Sequence, residues 1–333
     1  MKKLFILILS LFLLTGCNIF KSDALKDIDV YTTTYPVNYI INYLYGDNAN
    51  IYSIYPSGVN FKEYELSDKK LNEFSKSSLF VFNSQDIDRN YAVNMLNKNS
   101  NLRLIDTTLG MNYTYSIEEL WLNPYNYLMM AKNTKTSLNE YITDPYLNKQ
   151  INEKYELLQY ELSKLDATYK ETLKAAKYTT IVTDNELFKF LEKYNIEVIS
   201  LEEDIRTITI KDKDNLSDIS KEYNVSISDI LTYNNKLDET INIGETIKIP
   251  VKTIETSNVN KVKKLISENQ IKYIFSNNKE SNSIITNLIK EHNLELVTFN
   301  TMYSIDGDIT NSNENYLTIM NNNLELLKKE LYK

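Results

Sequence analysis

The residues of this chain that could do chemistry are few: Cys17, the sole thiol, His292, the sole imidazole, and carboxylates in excess of lysines and arginines, 45 to 37. One thiol allows no intrachain disulfide and no thiolate metal cluster. One imidazole leaves little room for a nucleophile-histidine triad, and His292 falls at the end of a helical run, where a histidine is normally solvated or satisfied locally. The six glycines are scattered, so there is no G-x-G-x-x-G, no phosphate loop and no nucleophile elbow. Carboxylate pairs carry little weight when 45 acids supply many by chance. A net charge of -8 spread along the chain speaks against nucleic acid and against a polybasic membrane patch. The pattern argues against an enzyme.

Cys17 is where covalent chemistry is expected. Lys2 and Lys3 precede an apolar run from Leu4 to Leu14 broken only by Ser10, too short to span a bilayer and right for a signal peptide. Leu14-Thr15-Gly16-Cys17 then resembles the bacterial lipobox, which implies cleavage before Cys17 and a lipid on its sulfur. The expected organisation is a signal over 1–16, a lipidated cysteine and tether over 17–27, and a mature protein held by lipid on the outer face of the cytoplasmic membrane.

The elements that follow are α/β. Apolar runs at 29–33, 50–54, 79–82 and 102–105 read as buried strands, with helical stretches near 37–45, 67–74 and 88–96 between them. That alternation predicts a mostly parallel sheet covered on both faces, in a lobe over 28–143. Leu147, Ile151, Tyr155, Leu158, Leu162, Leu165, Tyr169 and Leu173 recur at spacings of three and four without Gly or Pro. They predict one helix over 144–177, roughly 45 Å for ~30 residues, a rigid spine between two lobes. A second α/β lobe is expected over 178–206 and 252–333. Its strands are at 179–182, 196–201, 272–275 and 294–299, and its helices at 186–194, 260–268, 283–292 and 313–331.

A small module over 207–251 interrupts that lobe. Thr207-Ile208-Thr209-Ile210 reads as a strand, Asn215 caps one helix with Asp218 near its positive end, Ser226 caps a second ending at Asn234, and Thr246 to Ile249 closes as a strand before Pro250. Together with Lys213-Asp214-Asn215-Leu216, Asn234-Asn235 and Ile243-Gly244-Glu245-Thr246-Ile247-Lys248-Ile249-Pro250, this β-α-α-β pattern resembles the lysin motif (LysM). The resemblance implies binding to N-acetylglucosamine polymers, above all peptidoglycan, through two loops that here contain Asp214, Asn215, Leu216, Asn235 and Ile241. Lys213 stands where that family usually has glycine.

The two lobes resemble the zinc- and manganese-binding lipoproteins that serve ABC importers. The matching stretches include Thr34-Tyr35-Pro36, Pro56-Ser57-Gly58-Val59-Asn60, Tyr64-Glu65, Ile105-Asp106-Thr107-Thr108-Leu109-Gly110, Trp121-Leu122-Asn123-Pro124, Lys272-Tyr273-Ile274-Phe275 and Met320-Asn321-Asn322-Asn323-Leu324. The resemblance implies two α/β lobes on a backbone helix, an ABC permease as partner, and a zinc or manganese ion held between the lobes by three histidines and a carboxylate. Residue by residue, those four positions are Lys62, Glu119, Asp184 and Asn300, with Lys62 and Glu119 assigned to the first lobe and the other two to the second. None matches the family pattern. Glu119, Asp184 and Asn300 offer oxygen to a hard cation, and Lys62 opposes one. Two readings stand: a solute-binding lipoprotein of an importer with an altered site, and a non-transporting, peptidoglycan-associated envelope scaffold derived from that family.

Overall fold

The computed structural model describes residues 25, 27–61, 64–85, 87–277, 281–302 and 314–333. The signal segment, Cys17 and Lys62 lie outside them. The chain divides into two compact units, the first made of 1–112, 124–163 and 302–315, the second of 113–123, 164–301 and 316–333.

In the first unit, strands and helices alternate as β1 (Ile28–Thr32), α1 (Tyr35–Tyr45), β2 (Ala49–Ser53), α2 (Asp68–Phe74), β3 (Leu79–Phe82), α3 (Asp88–Lys98) and β4 (Arg103–Asp106). The sheet is parallel, in the order β2-β1-β3-β4. All four residues of β3 are buried, as a central strand covered on both faces requires, whereas β2 at the edge leaves all five of its residues partly or fully exposed. Ser67 caps α2, its hydroxyl accepting the Lys70 N–H.

Three helices follow: α4 (Glu119–Leu122), α5 (Pro124–Tyr141) and α6 (Pro145–Lys174). The sequence reading missed α5. Its signals are Pro124 at the first turn and buried Tyr127, Met130, Ala131, Thr134 and Leu138 at helical spacing. Thr134 broke the apolar pattern, and its hydroxyl is satisfied by the Met130 carbonyl at 2.9 Å. Helix α6 is the expected long element, 30 residues with the anticipated stripe from Leu147 to Leu173 turned inward. The division between units falls within it, at Ser163 and Lys164.

The second unit contains β5 (Thr180–Thr183), β6 (Glu197–Ser200), β7 (Asp204–Thr209), α7 (Leu216–Tyr223), α8 (Ile227–Tyr233), β8 (Thr246–Lys252), α9 (Thr256–Ser267), β9 (Tyr273–Ser276), α10 (Ser283–His292), β10 (Glu295–Thr298) and α11 (Tyr316–Leu331). Its larger sheet is parallel, in the order β10-β9-β5-β6. Val182, Ile199, Val262, Ile274, Ile285 and Leu288 lie in its core. Residues 186–194, expected as an α-helix, form a 3-10 helix capped by the Asn185 side chain on the Leu187 N–H. Asn195 ends it in the left-handed region, as do Asn224 and Asn293 after α7 and α10, with φ of 63°, 54° and 55°. In a chain with six glycines, asparagine takes the role glycine usually has at helix ends.

The β-α-α-β module is built as its sequence suggests, with shifted ends. Strands β7 and β8 pair antiparallel from Asp204 to Lys252, not from Thr207 to Ile249. Pro250 does not stop β8, because the register shifts beside it and a two-stranded ribbon admits proline at such an irregularity. The module has its own core of Ile210, Leu216, Ile219, Val225, Ile230, Ile247 and Ile249. Asn215 and Ser226 cap α7 and α8 through the N–H groups of Asp218 and Asp229, at 2.9 and 3.1 Å. At its base, Lys252 bridges Glu186 and Glu202 at 2.7 and 2.5 Å.

Candidate functional site

Glu119 belongs to the second unit and not the first, as the sequence assignment had it. Segment 113–123 is fastened there by buried bonds: the Trp121 indole donates to the Thr301 carbonyl at 2.9 Å, and the Tyr316 hydroxyl donates to the Trp121 carbonyl at 2.6 Å. Tyr115 donates its hydroxyl to Glu192 at 3.2 Å, and the Lys189 ammonium lies 4.8 Å from its ring centre. The Glu192 charge raises the Tyr115 phenol above its ordinary value. The Glu119 carboxylate reaches back from the start of α4 and accepts the Thr114 and Tyr115 N–H groups at 3.1 and 2.8 Å. A carboxylate so placed closes its own loop, which draws on the lone pairs a metal would use.

Asp184 follows β5 directly. Its Oδ2 accepts the Ser276 hydroxyl, while its Oδ1 is shut off from solvent without a partner among the described residues. Burial pushes its carboxyl up to about 6, against the Ser276 bond and with help from the Glu202 charge. Asn300 is held by its backbone: the Asn323 side chain accepts its N–H at 3.1 Å and donates to its carbonyl at 2.7 Å. Among the described residues, no three His, Cys, Asp or Glu side chains gather closely enough to share a metal. His292 ends α10, with Glu291 at 4.0 Å.

In the module, Asp214 and Asn215 are exposed, and both serve their own loop: Asp214 accepts the Lys211 N–H at 2.7 Å, and Asn215 caps α7. Leu216 is 2% exposed and belongs to the module's core, so it cannot offer its side chain to a sugar. Ile241 packs against the same core, while Asn235 is exposed. Leu237 and Ile243, on the stretch between α8 and β8, are fully and 71% exposed. Lys213 adopts φ 74°, the conformation that explains a glycine preference at this position.

Two α/β units, each on a four-stranded parallel sheet, make up the fold. Solved structures of this fold include the Zn(II)-bound ZnuA-like domain of Streptococcus pneumoniae AdcA, with TM-score 0.65 and 18% identity, covering 92% of this chain and 100% of that one. The laminin-binding protein Lbp of Streptococcus pyogenes is also similar, with TM-score 0.62 and 15% identity over 92% and 99% of the two chains. Residues 30–251 match the model of the family described as zinc-uptake complex component A, periplasmic, and the chain belongs to that family.

Residues 1–18, which include Cys17, match the prokaryotic membrane lipoprotein lipid attachment site, so the chain is a lipoprotein of the extracytoplasmic membrane surface. Among curated relatives, the zinc-binding lipoprotein AdcA of Streptococcus pneumoniae (strain R6) is 23% identical over 354 aligned positions, 99% of this chain and 61% of AdcA. A metal ABC transporter substrate-binding lipoprotein of Lactococcus lactis is 29% identical over 214 positions, 58% of this chain and 67% of the relative. This chain therefore spans less than two thirds of the length of AdcA.

Proposed function

We propose that this protein is the solute-binding lipoprotein of an ABC importer, anchored through lipid on Cys17, with a LysM module over residues 204–252 that holds it to peptidoglycan. Family membership supports the importer role. The lipobox supports the anchor: Cys17→Ser is expected to move the protein to the soluble fraction, because stable anchoring takes two or more acyl chains. The separate core and paired caps of the module support the wall-binding role. Full-length protein is expected to sediment with purified peptidoglycan, and a chain lacking 204–252 is expected to stay in solution.

The cargo is not zinc held in the family's manner. The observation carrying this is the count of histidines, one in the whole chain, where the family resemblance implies three in the site and puts Glu119 at one of those positions. Asn300 and Lys62 supply neither imidazole nor carboxylate. Calorimetric titration with zinc or manganese alone is expected to show no binding at micromolar concentration, and Lys62→His alone does not create it. Micromolar zinc binding by the unaltered chain overturns this part. The same observation favours a second reading, the non-transporting wall-associated scaffold. Cross-linking in membranes separates the two: capture of an ABC permease supports import, and its absence under conditions that capture peptidoglycan supports the scaffold.

A further inference from the structure

The carboxyl edge of the sheet in the first unit carries two buried hydroxyls with no hydrogen-bond partner among the described residues. The order β2-β1-β3-β4 puts the topological switch point between β1 and β3, where open parallel sheets bind ligands beyond the carboxyl ends of their strands. Thr33 and Thr34 follow β1 at this point, 0% and 5% exposed. Their backbones are employed: Thr33 donates its N–H to the Val81 carbonyl at 3.2 Å and accepts the Ser53 hydroxyl at 2.9 Å, and the Thr34 carbonyl takes the Asn38 N–H at 3.0 Å. Neither Oγ1 has a partner among the described residues. Thr32, one residue earlier, shows the ordinary outcome, donating to the Tyr52 carbonyl and accepting from the Asn38 amide, each at 3.0 Å. Native proteins seldom leave buried hydroxyls unmet, and two in succession ask for a partner.

The same two residues lead into α1. Thr34 is its N-cap, yet its side chain makes no capping bond, and the first turn holds no acidic residue. A helix of 11 residues thus presents a positive end, with neither a side-chain cap nor an acidic residue in its own first turn, beside the two hydroxyls. Pro36, in that turn, has no N–H, so the hydroxyls add donors where the helix is short of them. The polar groups beyond β3 and β4 are by contrast tied to one another: Asp106 accepts the N–H groups of Ser84 and Thr108 at 3.2 and 2.9 Å.

We propose that the junction of β1 and α1 binds a small oxyanion, a carboxylate or phosphate group, with the hydroxyls of Thr33 and Thr34 donating to it at the positive end of α1. The site lies wholly in the first unit and uses none of the four inherited metal positions. As a cargo site it rests on the solute-binding reading, and gives the cargo an anionic group. As an anion site it does not.

The test uses the full chain made soluble by Cys17→Ser, titrated with inorganic phosphate and, separately, acetate at constant ionic strength. One of the two is expected to raise Tm and to give a binding isotherm. Thr33→Val with Thr34→Val weakens that binding at least tenfold, while its Tm without anion equals or exceeds the parent's, since a methyl replaces each unmet hydroxyl. The single variants assign the contact. No response to either anion, an equal response to chloride, unchanged binding by the double variant, or a response to manganese alone through the same threonines overturns the proposal. The importer reading fails separately: a chain that binds phosphate but captures no permease keeps this site and loses that role.

Discussion

The indole N–H of Trp121 donates to the backbone carbonyl of Thr301, 180 residues away in sequence and 2.9 Å away in the second unit. Trp121 is fully buried, and its own carbonyl takes the Tyr316 hydroxyl. This bond ties the segment carrying Glu119 to the rest of the second unit.

Replacing Trp121 by Phe leaves a cavity and an unpaired Thr301 carbonyl in a buried site. The expected loss is about 2–3 kcal/mol. Urea unfolding checks it, as a lower midpoint with an unchanged slope. A midpoint within error of the parent's removes Trp121 as the anchor of segment 113–123.

The module's caps act locally. Ser226 both accepts the Asp229 N–H and donates to the Asp229 carboxylate at 2.6 Å, so Ser226→Ala should destabilise the module by about 1 kcal/mol. Hydrogen exchange resolves this, with faster exchange from α7, α8 and β8 and none of the change in β1 or β3. Equal acceleration throughout the chain contradicts an independently folding module.

Lys213 is held at φ 74°, where a Cβ is unfavourable. Lys213→Gly relieves that strain, at the expense of a more flexible unfolded chain. The net gain should be at most about 1 kcal/mol. Hydrogen exchange in the module should slow accordingly, and faster exchange there contradicts the strain.

Lys193 supplies a pH dependence. Burial pulls its ammonium down to about 8 from 10.5, although Asp166 opposes the shift and Lys170 adds to it. Its nitrogen lies 3.8 Å from Asp166, which also accepts the Tyr194 hydroxyl at 3.0 Å and pairs with Lys170 at 2.5 Å, and it donates to the Asn123 side chain. Between pH 8 and 10.5 the unfolded chain keeps the proton that the folded chain has released. The unfolded state then binds more protons, and this group's contribution to stability rises with pH through that window. Since Lys193 is about a third exposed, screening reduces the effect to about 1–2 kcal/mol. Urea unfolding at pH 8 and 10.5 should show Lys193→Met losing ground to the parent as pH rises. A constant difference between the two chains contradicts the shift.

Much of the fold was legible because its signals are local. Helix α10 falls at Ser283–His292 and β3 at Leu79–Phe82, as periodicity placed them, and the caps at Asn215 and Ser226 are formed as read. Helix α5 was missed because a buried threonine interrupts its apolar face, and threonine's bond to the preceding turn cannot be seen in a pattern of polarity.

The sequence alone determined the export signal, the alternation of strands and helices, the separate module and the presence of a single histidine. Each of these follows from residue identity or from spacing along the chain. Only the tertiary structure decided that Leu216 is core, that Glu119 belongs with the second unit and closes its own loop, and that the hydroxyls of Thr33 and Thr34 are buried without partners among the described residues. Burial and hydrogen-bond satisfaction depend on groups far away in sequence. A threonine reads the same whether its hydroxyl meets a carbonyl, as in Thr32, or meets no partner among the described residues, as in Thr33.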